Sequence, residues 1–187
     1  MTFPELDTHR LWLTELQPDD ECSLFNLFSN PDVVEYYDLE VFHQPEQASA
    51  LIDLFKTRYK EQLGIRWAIR LKGAGEGGLI GTCGFNSWSS KMRNAVIGYD
   101  LLPEFWGKGY ASEAVRAISL AAFSGQLSCG PLHRIQADTV VGNEASEALL
   151  RKLGFKDEGP RRGAGCWKNS FHDLRCFGLL STEFRHG

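Results

Sequence analysis

The sequence predicts a single mixed α/β domain spanning residues 1–187, and three observations carry that prediction. The apolar residues switch between two periods: they alternate over RLWLTEL and IRWAIRLK, and recur at three and four over PEQASALIDLFKTRYKEQ and after Tyr110. The segments so defined run β-α-α-β-β-β-α-β-α-β, with strands and helices interleaved rather than segregated. The 187 residues, 43% hydrophobic, suit one core, and neither an internal repeat nor a low-complexity linker divides them.

Each element has its own signal. Arg10 to Leu16 alternates and forms the first strand. In PDDECSLFNLFSN, Asp19 or Asp20 caps a helix with Leu24, Leu27 and Phe28 on one face, and Asn30-Pro31 stops it or turns the chain. The second helix has Pro45 in its first turn, where the missing N–H has no helical partner to lose, and a face of Ala48, Leu51, Ile52, Phe55 and Tyr59. After Gly64 the period changes. IRWAIRLK alternates Trp67, Ile69 and Leu71, GLIGTCGFNSW follows, and the flexible turn Gly73 to Gly78 makes the two a hairpin. KMRNAVIGYDLLP is the next strand, ended by Pro103. A helix from Tyr110 to Phe123 carries Ala111, Ala114, Val115, Ile118 and Ala122 on one face. His133 to Val141 is a strand, Asn143 caps the short helix EASEALLRKL, Gly154 ends it, and HDLRCFGLLSTEF is the last strand. Met1 to Thr8 and Gly159 to Asn169 carry little pattern.

Composition narrows the function. A formal net charge of −4 gives no basic surplus for nucleic acid. No run is long and apolar enough to span a bilayer, and MTFPELDTHRL lacks the basic and then apolar segments of a secretory signal, so a cytoplasmic protein is expected. Cys22, Cys83, Cys129, Cys166 and Cys176 are odd in number, widely spaced and without a CxxC pair, which fits reduced thiols rather than a zinc site or a disulfide scaffold. No metal is expected. The charge is uneven: residues 1–55 hold twelve acidic residues and one basic residue, Arg10, a sum of −11, and the remaining 132 residues carry +7. Such a segment is either a set of solvated helix faces or a field that draws in a cationic substrate.

The stretch EFWGKGYASEAV is the chemical focus. It joins strand to helix, with glycines at 107 and 109. A helix start leaves its first amides without internal partners, its dipole favours an anion, and glycines let the backbone approach a phosphate. A tight turn with no ligand is the competing reading. Two nucleotide loops fit poorly: GxGxxG requires a glycine where Ser112 stands, and GxxxxGK[ST] is absent, which counts against NAD and ATP.

The residues Trp106-Gly107-Lys108-Gly109-Tyr110-Ala111 resemble the acetyl-CoA loop Q/R-x-x-G-x-G/A of the GNAT superfamily of N-acetyltransferases. Gly109 and Ala111 match, and Trp106 departs from the usual glutamine or arginine. THRLWLTEL, LIGTCGF, IGYDLLPEFWGKGYASEAVRAI, NEAS, LRKLGF and HDLRCFGLL follow in the same order as in the group containing the ribosomal-protein N-terminal acetyltransferases RimJ and RimL, and cover nearly the whole chain. The resemblance implies an acyl-CoA N-acyltransferase fold: a mixed, strongly twisted central sheet flanked by helices. It implies that the strand Ala95 to Leu102 splays from its parallel neighbour His133 to Val141, with the pantetheine arm in the gap. It assigns acetyl-CoA contacts to Tyr99, Leu101, Leu102, Trp106, Gly107, Lys108, Gly109, Tyr110, Ala111, Ser112, Asn143 and Ser146. Ser146 also becomes the catalytic residue, beside the thioester sulfur, helping the thiolate leave. Related enzymes are often dimers.

The residues themselves leave alternatives open. Asn143 is also a helix cap, Ser146 also a solvent-facing helix residue, Tyr110 a packing residue and Lys108 an exposed cation. Relatives often carry a glutamate in AEIGY, where this chain has Val96. His133, His172, Asp173, Glu104 and Tyr99 are other groups that could take the proton; otherwise the amine arrives neutral, which favours an α-amine over a lysine or polyamine. The expected acceptor is a peptide N-terminus, with a cationic small molecule such as a polyamine or aminoglycoside as the alternative, and a non-catalytic acyl-CoA-binding domain as the third reading. Asp32, Glu35 and Asp38, around Tyr36 and Tyr37, are expected beside that acceptor.

Overall fold

Strand β2 (Leu11–Glu15) buries Leu11 and Leu13 and exposes Trp12, as its alternation predicts. The computed structural model describes residues 2–73 and 78–185. After β2 come helices α1 (Glu21–Phe28), α2 (Pro31–Val34) and α3 (Pro45–Lys60), then strands β3 (Ile65–Leu71), β4 (Leu79–Ser89) and β5 (Asn94–Leu101). Helix α4 (Tyr110–Ser124) leads to β6 (Arg134–Val140), α5 (Glu144–Lys152), β7 (Lys156–Trp167) and β8 (Ser170–Leu180), and a two-residue strand β1 (Leu6–Asp7) precedes β2. The strands form one sheet in the order β1-β2-β3-β4-β5-β6-β8-β7. Every neighbouring pair is antiparallel except β5 and β6, and α4 is the crossover that a parallel pair requires.

Two cores lie against the sheet. The larger joins Ala114, Val115, Ile118 and Ala122 of α4 and Leu150 of α5 to Trp67, Phe85, Ile135 and Phe177. The smaller joins Leu24, Leu27 and Phe28 of α1 and Ala48, Leu51 and Ile52 of α3 to Ala68 and Leu79. The helical periods of the sequence therefore mark the faces that bury. Among the described residues, no helix is long and apolar enough to cross a membrane.

Four expectations change. Asp20 does not cap α1: its carboxylate accepts from the Gln17 amide at 2.8 Å and takes both ends of the Arg70 guanidinium, at 2.8 and 2.7 Å, so it ties a 3₁₀ turn to β3. Helix α1 stops at Phe28, ahead of Asn30-Pro31 as expected, but Pro31 then opens the short helix α2 instead of a plain turn, with the Asn30 side chain accepting from the Asp32 amide at 2.9 Å. Strand β7 occupies a stretch that carries little pattern. Its register with β8 shifts between Asp157 and Gly159 and between Arg161 and Gly165, so no steady alternation survives. And β1 is too short to have a period. The hairpin of β3 and β4 forms as expected, although residues 74–77 of its turn lie outside the described residues.

A buried polar cluster holds the middle of the sheet. Arg66 of β3 pairs with Asp100 of β5, and both side chains are nearly solvent-free. Thr82 of β4 donates its amide and hydroxyl to Asp100 at 3.0 and 2.9 Å, and its oxygen accepts from Arg66 Nε at 2.8 Å. The same guanidinium reaches Asn86 at 3.1 Å and the Tyr37 hydroxyl at 3.0 Å. Removing one member strands a buried charge, which typically costs about 3–5 kcal/mol. Arg66→Met and Asp100→Asn are each expected to lose stability on that scale in urea denaturation, and Arg66→Met/Asp100→Leu to lose less than the two single losses together.

Candidate active site

The parallel strands β5 and β6 pair only at their beginnings. The register runs from Asn94–Arg134 to Ile97–Ala137 and then stops, while β5 continues to Leu101 and β6 to Val140. Each outer edge stays bound: β4 pairs with β5 as far as Leu101, and β8 with β6 as far as Val140. The inner edges therefore part and leave backbone polar groups without ladder partners. A cavity of about 620 Å³ fills the fork, lined by Ile97 to Leu101 on one side and Ala137 to Val140 on the other. Thr139 Oγ1, buried on this wall, has no hydrogen-bond partner. The splay that the resemblance implies is thus present.

At the lip of the fork, Trp106 donates its indole N–H to the Leu101 carbonyl at 2.8 Å. Gly107 and Gly109 follow with φ of 70° and 81°, the left-handed region that side chains resist. Helix α4 then starts with no side chain capping its first amides, in contrast to α5. Trp106, Gly107, Gly109, Tyr110, Ala111 and Ser112 all line the cavity. Uncapped amides on a glycine turn can hold an anion by backbone alone. Lys108 is not part of this lining: its ammonium lies over the Phe105 ring, 5.6 Å from the centroid. Leu102 is also absent from the lining and packs into the smaller core. The remaining residues that the resemblance assigned to acetyl-CoA are gathered in one cavity.

Asn143 is a helix cap: its Oδ1 accepts from the Ser146 amide at 3.2 Å, which leaves its amide nitrogen uncommitted by that bond. Ser146, in the first turn of α5, turns its hydroxyl across the fork to the Tyr99 hydroxyl, 2.6 Å away. Burial pushes the Tyr99 phenol up to about 12, against the lowering effect of the Ser146 hydrogen bond. Tyr99 therefore keeps its proton at neutral pH. If it donates to Ser146 Oγ, the serine O–H is free to point into the cavity.

The proposed proton acceptors separate clearly. Val96 pairs with Gln136 in the closed part of the fork. His133, with its amide on the Arg93 carbonyl, sits at the far end of β6 and is not part of the lining. His172 stacks on Trp167 with ring centroids 4.2 Å apart, and Asp173 accepts from the Gly163 amide at 2.7 Å; neither lines the cavity, nor does Glu104. A residue that the sequence reading missed does line it. Asp138 lies two positions beyond Gln136, so it shares the face on which Val96 stands. It accepts from Gln136 Nε2 at 3.0 Å and pairs with Arg161 at 2.6 Å. In sequence it is one polar residue of an alternating strand; only the unpaired fork makes it a site residue.

The N-terminal acidic segment closes the cavity. Asp32, Glu35, Tyr36, Tyr37 and Asp38 line it together with the fork residues. Asp32, Glu35 and Asp38 are exposed. Trp167, at the end of β7, adds a wall, and the neighbouring Lys168 donates to the Val34 carbonyl at 2.7 Å, which fastens the β7–β8 turn to α2.

With that geometry established, comparison with known proteins gives consistent matches. Residues 10–156 match the model of the acetyltransferase (GNAT) domain. An uncharacterized N-acetyltransferase of Bacillus subtilis, YoaA, is 42% identical over 97% of this chain and 99% of its own length. The GNAT-family acetyltransferase of Bacillus anthracis has a crystal structure similar to this one, with a TM-score of 0.81 and 24% identity over 96% of this chain and all of that one. RimL, a ribosomal L7/L12 alpha-N-protein acetyltransferase solved with coenzyme A, superposes with a TM-score of 0.79 and 20% identity over 95% of this chain and 98% of that one.

The left-handed backbone at Gly109 generates a direct test. A Cβ there would lie 3.4 Å from Arg10 Nη2, and a side chain disfavours this φ. Gly109→Ala is expected to lower stability by about 1–2 kcal/mol. The measurement is chemical denaturation, with Gly107→Ala, at φ 70° and with nothing near its Cβ, expected to lose a similar amount.

Proposed function

This chain belongs to the GNAT acetyltransferases, and from that premise we propose that residues 1–187 act as one domain that acetylates a primary amine on a cationic acceptor, a peptide N-terminus before a polyamine or an aminoglycoside. Acetyl-CoA is the acetyl donor. The observation that carries the acceptor reading is the shared cavity: Asp32, Glu35 and Asp38 line the same space as the donor fork.

The chain's residues fit the donor. The uncapped start of α4 and the two left-handed glycines suit a pyrophosphate, and the open edges of β5 and β6, with the unpartnered Thr139 hydroxyl, suit the amides of a pantetheine arm. When bound, acetyl-CoA supplies an acetyl group activated as a thioester. Ser146, with Tyr99 behind it, holds a proton at Oγ for the departing sulfur. Asp138 holds a carboxylate on the wall of the same cavity and takes the proton that the amine must lose. The walls bring amine and thioester together, which contributes much of the acceleration without any further chemical group.

An α-amine suits this site. With a reference pKa near 7.7–8.0, roughly a third of it is neutral at pH 7.5, against about one lysine amine in a thousand. RimL acts on the α-amine of a ribosomal protein, as its name states, and its fold is the fold seen here. A cytoplasmic location accompanies this reading, and the five free cysteines are consistent with it.

The test is an acceptor panel with acetyl-CoA: basic peptides with a free α-amine, the same peptides with that amine blocked and a lysine left free, spermidine, and an aminoglycoside. Turnover is expected first on the free α-amine. Transfer to spermidine or the aminoglycoside alone would move the assignment to small molecules, and donor binding without transfer to any acceptor would favour a non-catalytic acyl-CoA-binding domain.

Three sets of variants follow. Asp32→Lys/Glu35→Lys/Asp38→Lys is expected to raise KM for a cationic acceptor and leave KM for acetyl-CoA unchanged; equal changes in both would remove the field argument. Asp138→Asn is expected to lower kcat roughly a hundredfold. Tyr99→Phe and Ser146→Ala are each expected to lower kcat, and the double variant to be little worse than Ser146→Ala, because the two hydroxyls act as a unit.

A further inference from the structure

The anion turn contains an electrostatic conflict. Glu113 stands in the first turn of α4, so a carboxylate shares the helix end whose amides face the cavity. An acid there competes with a bound anion for the same dipole and repels it through space. Its charge is not left open. Glu113 Oε1 accepts from the Thr8 hydroxyl at 2.7 Å and from the Arg10 amide at 2.8 Å, and Oε2 accepts from Arg10 Nε at 2.7 Å. The guanidinium also donates from Nη1 to the Lys108 carbonyl at 3.0 Å and stacks on Tyr110 at 4.4 Å from the ring centroid. It therefore holds the one carbonyl between the two turn glycines, on the same side chain that neutralises Glu113. Burial pushes the Glu113 carboxyl up, but the hydrogen bonds from Thr8 and Arg10 hold it below its ordinary range, so it is charged at neutral pH. Arg10 is also the only basic residue among the first 55.

We infer that Arg10 is a positioning residue of the donor site, whose role is to cancel the Glu113 carboxylate and turn it away, so that the glycine turn accepts a pyrophosphate. The inference rests on the reading of the turn as a pyrophosphate cradle. The pair acts through Glu113, so its signature is a rescue. Loss of Arg10 exposes the carboxylate to the phosphates, and loss of the carboxylate as well removes the reason for Arg10. A brace that only stiffened the loop would give no such rescue, because removing Glu113 takes away a further contact.

The experiment is calorimetric titration of the full chain with acetyl-CoA, and with S-acetylpantetheine, which lacks the pyrophosphate. Variants are Arg10→Gln, Glu113→Gln, the double variant and Arg10→Lys. Arg10→Gln is expected to weaken acetyl-CoA about tenfold at low ionic strength, with the loss shrinking as salt rises. Glu113→Gln alone is expected to bind at least as tightly as wild type, because it leaves the Arg10 cation beside the turn, and the double variant to recover most of the loss. S-acetylpantetheine affinity is expected to stay constant across the set. A double variant as weak as Arg10→Gln, or a loss independent of salt, overturns the role given to Arg10. Equal wild-type affinity for the two ligands instead overturns the cradle and the inference with it. If Arg10→Gln does not fold, Arg10→Lys decides: affinity near wild type supports charge cancellation, and a salt-independent tenfold loss overturns it.

Discussion

The parting of β5 and β6 after Ile97 and Ala137 is the constraint on which the rest of the molecule depends. Two strands that separate must each keep a full ladder on the other side, or the opening spreads. β4 and β8 supply those ladders to the strand tips. The open arm of β5 is fixed by the Arg66–Asp100 pair, which ties β3 to β5 through Thr82 of β4. Such a pair is not needed for net stability, since apolar packing of similar volume often does as well. What it adds here is a fixed position for Tyr37, through the bond from Arg66 to its hydroxyl, and hence for the acidic segment around it. The opening of the sheet and the placement of the acidic segment that lines it thus share one set of hydrogen bonds.

Both helices that follow the fork strands begin at it. Helix α4 starts just beyond β5, and α5 just beyond β6, and residues of both first turns line the cavity. They are used differently. The α5 start is capped by Asn143, so its contribution is a side chain, the Ser146 hydroxyl. The α4 start is uncapped, so its contribution is the backbone. One fork therefore presents two kinds of chemistry at its two tips, a hydroxyl and a row of amides, from the same strand-to-helix geometry repeated twice.

The sequence makes the regular elements legible because their periods report burial directly. The face of α3 that contains Ala48, Leu51 and Ile52, the alternation of β2 and the Asn143 cap all follow from local rules. The glycine turn is legible because left-handed backbone selects for glycine at 107 and 109. What is not legible depends on contacts between distant residues. Asp138 is an ordinary strand residue until the ladder beside it ends. Arg66 and Asp100 read as polar positions of two strands, and nothing local reports that each buries against the other. Strand β7 hides because two register shifts interrupt its alternation. Lys108, between two glycines, reads equally as a phosphate ligand or an exposed cation, and its ammonium lies over the Phe105 ring.

The same contrast explains how an acidic protein accommodates an anionic donor. Residues 1–55 sum to −11, and three of those acidic residues line the cavity. A donor site built from lysines would be drawn into ion pairs with that wall, and each pair would remove a ligand from the site. Backbone amides cannot be diverted in this way, because the turn and the helix fix their direction. The amides carry partial rather than full charge, so they leave the field of the acidic segment nearly intact, as the proposed cationic acceptor requires. On the reading proposed, the cost of this arrangement falls at one point, the carboxylate of Glu113 on the helix that supplies the amides, and Arg10 stands against it.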